Sequence, residues 1–173
     1  MSGYRTRLAE ALDSVDDAVI AAFTNSLSAA RSSATRVWII GNGGSATTAD
    51  HFATDLLRCA DADGAPVRAS SLCSNQGILT ATANDMGHEN VFTRQLQIHA
   101  SPGDVLVSIT ASGNSPNIVN AIDWAREHSA LTVALTGFDG GAARTLADIS
   151  VHVESEIGDY GVVEDVHLTI CHM

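Results

Sequence analysis

Four side chains in two short stretches have the types and spacing to do chemistry. His51 and Asp55 stand four apart in Asp50-His-Phe-Ala-Thr-Asp55, and Glu164 and His172 frame Glu164-Asp-Val-His-Leu-Thr-Ile-Cys-His172. On a helix, residues four apart share a face. Positions 164 and 172 lie about 80° apart around a helix of 3.6 residues per turn, so they too can converge on one point. Imidazoles and carboxylates suit zinc or another divalent ion, and the same groups move protons. A lone His/Asp pair is usually a surface ion pair. Four such residues on two helices form a stronger pattern, provided that the fold brings the helices together.

Two glycine- and hydroxyl-rich loops complete the set. Gly41-Asn42-Gly43-Gly44-Ser45 follows an apolar run and opens a helical one. Glycines let backbone N–H groups approach a ligand closely, and a helix N-terminus favours negative charge. A dinucleotide loop would read GxGxxG, so GxGG gives weak support for nicotinamide binding, and no nucleotide cofactor is expected. Thr110-Ala111-Ser112-Gly113-Asn114-Ser115-Pro116-Asn117 has the same context, with three hydroxyls. Hydroxyls and amides can cradle a phosphate without lysine. Ser115 or Asn114 could instead serve only as a helix N-cap, with Pro116 at the first helical position. Two such loops together point to a phosphate or sugar-phosphate site.

Composition narrows the chemistry. The chain of 173 residues carries 20 acidic and 9 basic side chains, a formal net charge of -11, and every basic residue is arginine. Without lysine there is no Schiff-base aldolase, no pyridoxal enzyme and no lysine-bearing P-loop kinase. The acidic balance argues against nucleic acid as a partner. No apolar run approaches the roughly 18 residues of a membrane span. The start lacks the apolar stretch of a secretory signal, so a cytoplasmic location is expected. Cys59, Cys73 and Cys171 have no CxxC spacing and read as reduced core residues.

The elements that must position these residues follow from periodicity. Tyr4, Leu8, Leu12, Val15 and Val19, then Phe23 and Leu27, predict one amphipathic helix over 4–30, long enough to pack against a second subunit. Apolar runs at 36–40, 66–71, 104–109, 131–136 and 149–153 predict five strands. They alternate with helices through Leu57, near 75–84, over 116–128, over 141–147 and from about 162. Strands apolar on both faces mean a parallel sheet covered on both sides, a doubly wound three-layer αβα sandwich. The expectation is one domain over 1–173, the N-terminal helix (1–30) preceding an α/β core (31–173). Ligands bind outside the carboxyl ends of such strands, where both loops sit.

The segments GNGGSATTADHFATDL, TATANDMGHENVF, PGDVLVSITASGNSPNIVNAI, ALTGFDGGAARTLADI and VEDVHLTICH occur in this order. Together they resemble the bacterial phosphoheptose isomerases of the sugar-isomerase (SIS) domain family, over about residues 30–173. The resemblance implies a flavodoxin-like five-stranded parallel sheet and a homotetramer with active sites at subunit interfaces. It implies interconversion of sedoheptulose 7-phosphate and D-glycero-D-manno-heptose 7-phosphate. Phosphate and sugar contacts would fall on Asn42, Gly43, Gly44, Ser45, Asn84, Asp85, Thr110, Ala111, Ser112 and Ser115. Zinc ligands would fall on His51, Asp55, Glu164 and His172, with Asp55 as the catalytic carboxylate and His172 as the catalytic histidine. The sequence departs from the family where Asp55 replaces the usual glutamate, Glu164 the usual glutamine, and Ala111 a hydroxyl residue. A free helix end frays, so with Met173 last, either a neighbouring subunit holds that helix or His172 loses its place.

The residues themselves suit the reaction. Aldose–ketose isomerisation moves a proton between C1 and C2 through an enediol and needs a base, an acid and a stabiliser for the oxyanion. Asp55 can be the base, His172 the acid, and a divalent metal or the Asn42 and Gly43 amides the stabiliser. Two rival readings remain: an isomerase of another sugar phosphate, and a non-catalytic sugar-phosphate-binding regulator of the same family. The intact His51, Asp55, Glu164 and His172 favour the enzyme. The helix spacing also sets His167 apart from His172, in a core or supporting role.

Overall fold

The computed structural model describes residues 2–58 and 65–173. Two helices, α1 (Ser2–Asp13) and α2 (Asp17–Ser33), precede β1 (Arg36–Gly41), α3 (Gly44–Arg58) and β2 (Arg68–Ser71). Then come α4 (Gln76–Met86), a 3-10 turn (His88–Asn90), α5 (Thr93–His99), β3 (Val105–Thr110) and α6 (Pro116–Glu127). The chain closes with β4 (Leu131–Thr136), α7 (Gly141–Leu146), β5 (Ile149–His152) and α8 (Tyr160–His172). All strand pairs are parallel, in the order β2-β1-β3-β4-β5. This is the expected sandwich.

Strand periodicity builds both faces. Val37, Ile39, Val105, Val107, Ile109, Val133 and Leu135 point to the side covered by α1, α2, α3 and α8. Trp38, Ile40, Leu106 and Ala134 point to the side covered by α4, α5, α6 and α7. Successive side chains alternate across a sheet, so each apolar run supplies two cores.

The helix expected over 4–30 is two helices. Ser14 Oγ bonds back to the Ala11 carbonyl at 2.7 Å, and the Asp16 carboxylate accepts from Ala18 N–H at 2.8 Å as the N-cap of α2. The apolar rhythm runs unbroken across Val15, which hides this cap in the sequence. The helix α5 was not anticipated; only Leu96 and Gln95 are buried in its seven residues, too few to set a period. Cys73 and Cys171 are free thiols as expected, and Cys59 lies outside the described residues.

Asp104 fixes the end of the sheet away from the loops. Only 3% exposed, it accepts from Arg36 N–H, Trp38 Nε1–H and Ser101 N–H, each at 2.9 Å. Trp124, at the same end of the molecule, stacks on His128 with ring centroids 4.1 Å apart. Asp104→Ala leaves one buried and two part-buried donors without an acceptor. A loss of about 2–3 kcal/mol of stability is expected in urea unfolding, and an unchanged midpoint would remove Asp104 from this role.

His167 of α8 is fully buried, and neither ring nitrogen has a hydrogen bond of good geometry. Burial pushes its pKa down to about 4, against a smaller opposing pull from the Thr136 carbonyl. The folded state therefore holds a neutral ring where the unfolded chain, near 6.5, takes up a proton. This contribution is complete above about pH 6.5 and is lost as pH falls toward 4, by up to about 3 kcal/mol. Urea titrations at pH 7.5 and 4.5 should show a larger drop for the wild type than for His167→Leu. Equal slopes would mean that His167 is not the acid-sensitive group.

Candidate active site

The strand order changes direction between β1 and β3, whose following helices leave on opposite faces. Crevices for ligands open at such a switch point, beyond the strand ends. A cleft of about 130 Å³ lies there, lined by Asn42, Ser45, Thr110, Ala111, Ser112, Ser115, Tyr160 and Glu164. A larger hollow of about 560 Å³ opens elsewhere, around Gln97, Trp124 and His128. It has neither glycine loop nor carboxylate, so the smaller cleft is the better candidate.

Neutral hydrogen bonds hold the loops. The Asn42 and Asn117 amides each donate to the other's carbonyl at 2.9 Å, which ties the loop after β1 to the first turn of α6. The loop after β3 is clasped by the loop after β4. Gly137 N–H bonds the Ala111 carbonyl, Ala143 N–H the Gly113 carbonyl, and Ala142 N–H the Asn114 side chain, at 2.9–3.0 Å. Gly113 has φ +66° and lies against the Gly140 carbonyl, leaving no space for a Cβ. Thr110 Oγ1 accepts from Gly113 N–H at 3.2 Å, so that hydroxyl serves the loop. Ser115 occupies the N-cap position of α6, yet its side chain makes no capping bond, which leaves its hydroxyl for a ligand.

The second assembly lies farther along α3 and α8. His51 Nε2 is 2.9 Å from His172 Nε2 and 3.0 Å from Asp55 Oδ2; His172 Nε2 is 3.7 Å from the same oxygen. Two Nε2 atoms this close cannot both carry hydrogen, so one ring donates to the other, and the same three ligand atoms could hold a cation. Edges of 2.9–3.7 Å bracket the roughly 3.3 Å edge of a tetrahedron with bonds of about 2.0–2.1 Å. The donor set therefore fits zinc. Side-chain exposures of 49% for His51 and 51% for His172 leave the trio open to solvent or a partner. Beside it, burial pushes the Cys171 thiol up to about 12, keeping it neutral.

Helix α8 carries parts of both assemblies, and α1 pins it. Tyr4 Oη donates to Asp165 at 2.6 Å, which pushes the phenol up to about 12, and Arg7 pairs with Asp159 at 2.6 Å. At its other end α8 remains closed through His172, with Met173 N–H bonded to the Thr169 and Ile170 carbonyls.

Most of the anticipated residues come together, in two groups. Asn42, Ser45, Thr110, Ala111, Ser112 and Ser115 line the cleft, and Gly44 abuts it beneath Glu164. Gly43 faces an adjoining hollow with Cys73, Leu79 and His88. His51, Asp55 and His172 form the trio, and Glu164 does not join them. Angular proximity misled here: eight residues of helix rise by about 12 Å, and the Glu164 carboxylate turns to Gly44 instead. Asn84 and Asp85 are exposed on α4, bonded to one another at 2.7 Å and away from this cleft. Asn117 and Tyr160 were not anticipated. The signal for Asn117 was an amide one residue inside a helix that opens on proline, at a position that proves to be 1% exposed.

The SIS domain family profile matches residues 3–137. The phosphoheptose isomerase of Chlorobium phaeobacteroides is 38% identical over 172 residues, covering 98% of this chain and 76% of that protein. That of Geobacter sp. is 35% identical over 173 residues, covering 100% and 85%. The structure of phosphoheptose isomerase GmhA from Neisseria gonorrhoeae superposes with a TM-score of 0.86 at 28% identity, covering 96% of this chain and 88% of that one. With its two loops at the switch point and relatives that align over 98% and 100% of its own length, the chain belongs to the SIS domain family, among the phosphoheptose isomerases.

Proposed function

We propose that the chain interconverts sedoheptulose 7-phosphate and D-glycero-D-manno-heptose 7-phosphate through an enediol. The observation that carries the reading is the pairing of a hydroxyl-lined cleft with a His/Asp/His trio along the same two helices. From Gly44 to His51, α3 rises by about 10 Å, so a phosphate in the cleft would direct the far end of an extended sugar toward the trio. Ser45, Ser112, Ser115 and the first amides of α3 take the phosphate. His51, Asp55 and His172 hold zinc, which when bound would stabilise negative charge on the substrate oxygens. Asp55 bonds through Oδ2, leaving Oδ1 as the oxygen that carries the proton between C1 and C2. His172 serves the substrate oxygens as acid and base. A cytoplasmic setting belongs to the same reading: Cys73 and Cys171 are free, and no described helix is long and apolar enough to cross a membrane.

Purified protein incubated with sedoheptulose 7-phosphate and followed by NMR should form the aldose. Activity should fall on chelation and return with zinc. Asp55→Asn and His172→Ala should each abolish turnover and lower zinc content, whereas His167→Ala, which removes a core side chain, should cost stability while the folded fraction still turns over. No conversion by the zinc-loaded wild type would sink the assignment. Activity in His172→Ala but none in folded His167→Ala would reverse the roles of the two histidines.

The same reading includes a homotetramer with sites shared between subunits. The exposed His51 and His172, the apolar groove formed by Phe23, Leu27, Leu56 and Ile170, and the distance of Asn84 and Asp85 from their own cleft support it. Light scattering at micromolar concentration should give the tetramer mass; a monomer would refute the shared site.

A further inference from the structure

Tyr160 opens α8 and lines the cleft together with the hydroxyls of Ser45, Ser112 and Ser115. Its ring stands edge-to-face with Phe138, with centroids 4.9 Å apart and planes at 86°. Phe138 is buried and packs with Val163 of α8 and with Ala111, which also lines the cleft. It keeps φ +54°, a left-handed conformation that bulky side chains rarely adopt, and its N–H is tied to Ser155 Oγ at 3.0 Å. Strain of this kind persists where the surroundings enforce it, and here it sets a buried ring as the brace for Tyr160. Along α8, Tyr160 comes one turn before Glu164, whose carboxylate lies against Gly44, and twelve residues before His172. Those twelve residues rise by about 18 Å. Tyr160 thus stands at the end of the cleft remote from the trio, where the phosphate and not the reacting carbons would lie. The chain has no lysine and no arginine lines the cleft, so hydroxyls and amides are its donors. A tyrosine suits such a place, because its apolar body rests on an aromatic neighbour while its O–H serves a polar group.

We propose that Tyr160 is a phosphate-binding residue of this site: braced on Phe138, its phenol O–H donates to the substrate phosphate at the end of the cleft remote from the trio. The inference rests on the phosphate reading of the cleft given above. A hydrogen bond to a charged acceptor is worth more than one between neutral groups, so its loss should weaken binding on the order of tenfold. The contact is to the phosphate alone, so the loss should be the same whatever sugar the phosphate carries.

Calorimetric titration of the zinc-loaded protein with inorganic phosphate, and with a heptitol 7-phosphate that has no carbonyl to isomerise, tests this without relying on turnover. Tyr160→Phe keeps the ring on Phe138 and should bind both ligands on the order of tenfold more weakly than wild type. Tyr160→Ala should lose at least as much, and Ser115→Ala should also weaken both. Matching thermal melts and light-scattering masses establish that the variants fold and assemble as the wild type does. Wild-type phosphate affinity in Tyr160→Phe, with Ser115→Ala still impaired, overturns the inference and leaves the phosphate site standing. A loss confined to the heptitol phosphate overturns it as well, because the phenol would then touch the sugar. An altered mass would make Tyr160 a subunit contact and would equally sink it. If neither Tyr160→Phe nor Ser115→Ala alters phosphate affinity, phosphate binds elsewhere, and both the cleft assignment and this inference fall.

Discussion

The reciprocal amide pair between Asn42 and Asn117 sets the geometry on which the cleft depends. The ladder between β1 and β3 ends at Gly41 and Ile109, and beyond it the two chains turn to opposite faces of the sheet. Nothing in the sheet fixes their separation above that last rung. Two neutral hydrogen bonds of 2.9 Å do so, joining the residue after β1 to the second residue of α6. Both partners are neutral, so the lock introduces no charge into the proposed anion site. It uses one N–H and one carbonyl lone pair of each amide, so Asn42 keeps a second side-chain N–H besides its backbone N–H to offer a ligand.

Helix α8 divides its surface among three tasks. Val166 buries against the sheet and Val163 against Ala111 and Phe138, Glu164 faces the cleft, and His172 reaches the trio. One rigid element therefore couples the proposed anion subsite to the proposed proton-transfer groups. The contacts of Tyr4 and Arg7 from α1 hold this element from outside, where their polar bonds stay wet. In this way the N-terminal helix contributes to the site without touching it.

The sheet was legible because a parallel strand covered on both faces is apolar throughout; the strand at 131–136 matches residue for residue. Both loops were legible as strand-to-helix turns because glycine and hydroxyl clusters punctuate the ends of apolar strands. The N-terminal break was hidden because Asp16 caps a helix inside a rhythm that suits one longer helix. The trio was partly legible. Angular arithmetic placed four residues on facing sides, but helical rise and rotamer choice decide which of them meet, and neither can be read from spacing. Asn117 was illegible for a different reason: its partner lies 75 positions away, and only the strand order brings the two together.

The two tryptophans of the chain lie apart from the cleft. Trp38 donates its indole N–H to buried Asp104, and Trp124 stacks on His128 beside the large hollow. Both are thus optical probes of the opposite pole of the molecule. Their emission follows the opening of the sheet and the loss of Asp104's contacts, while a sugar phosphate entering the cleft leaves them undisturbed. Intrinsic fluorescence is accordingly a clean measure of unfolding in this protein, and ligand occupancy calls for a reporter introduced near Tyr160.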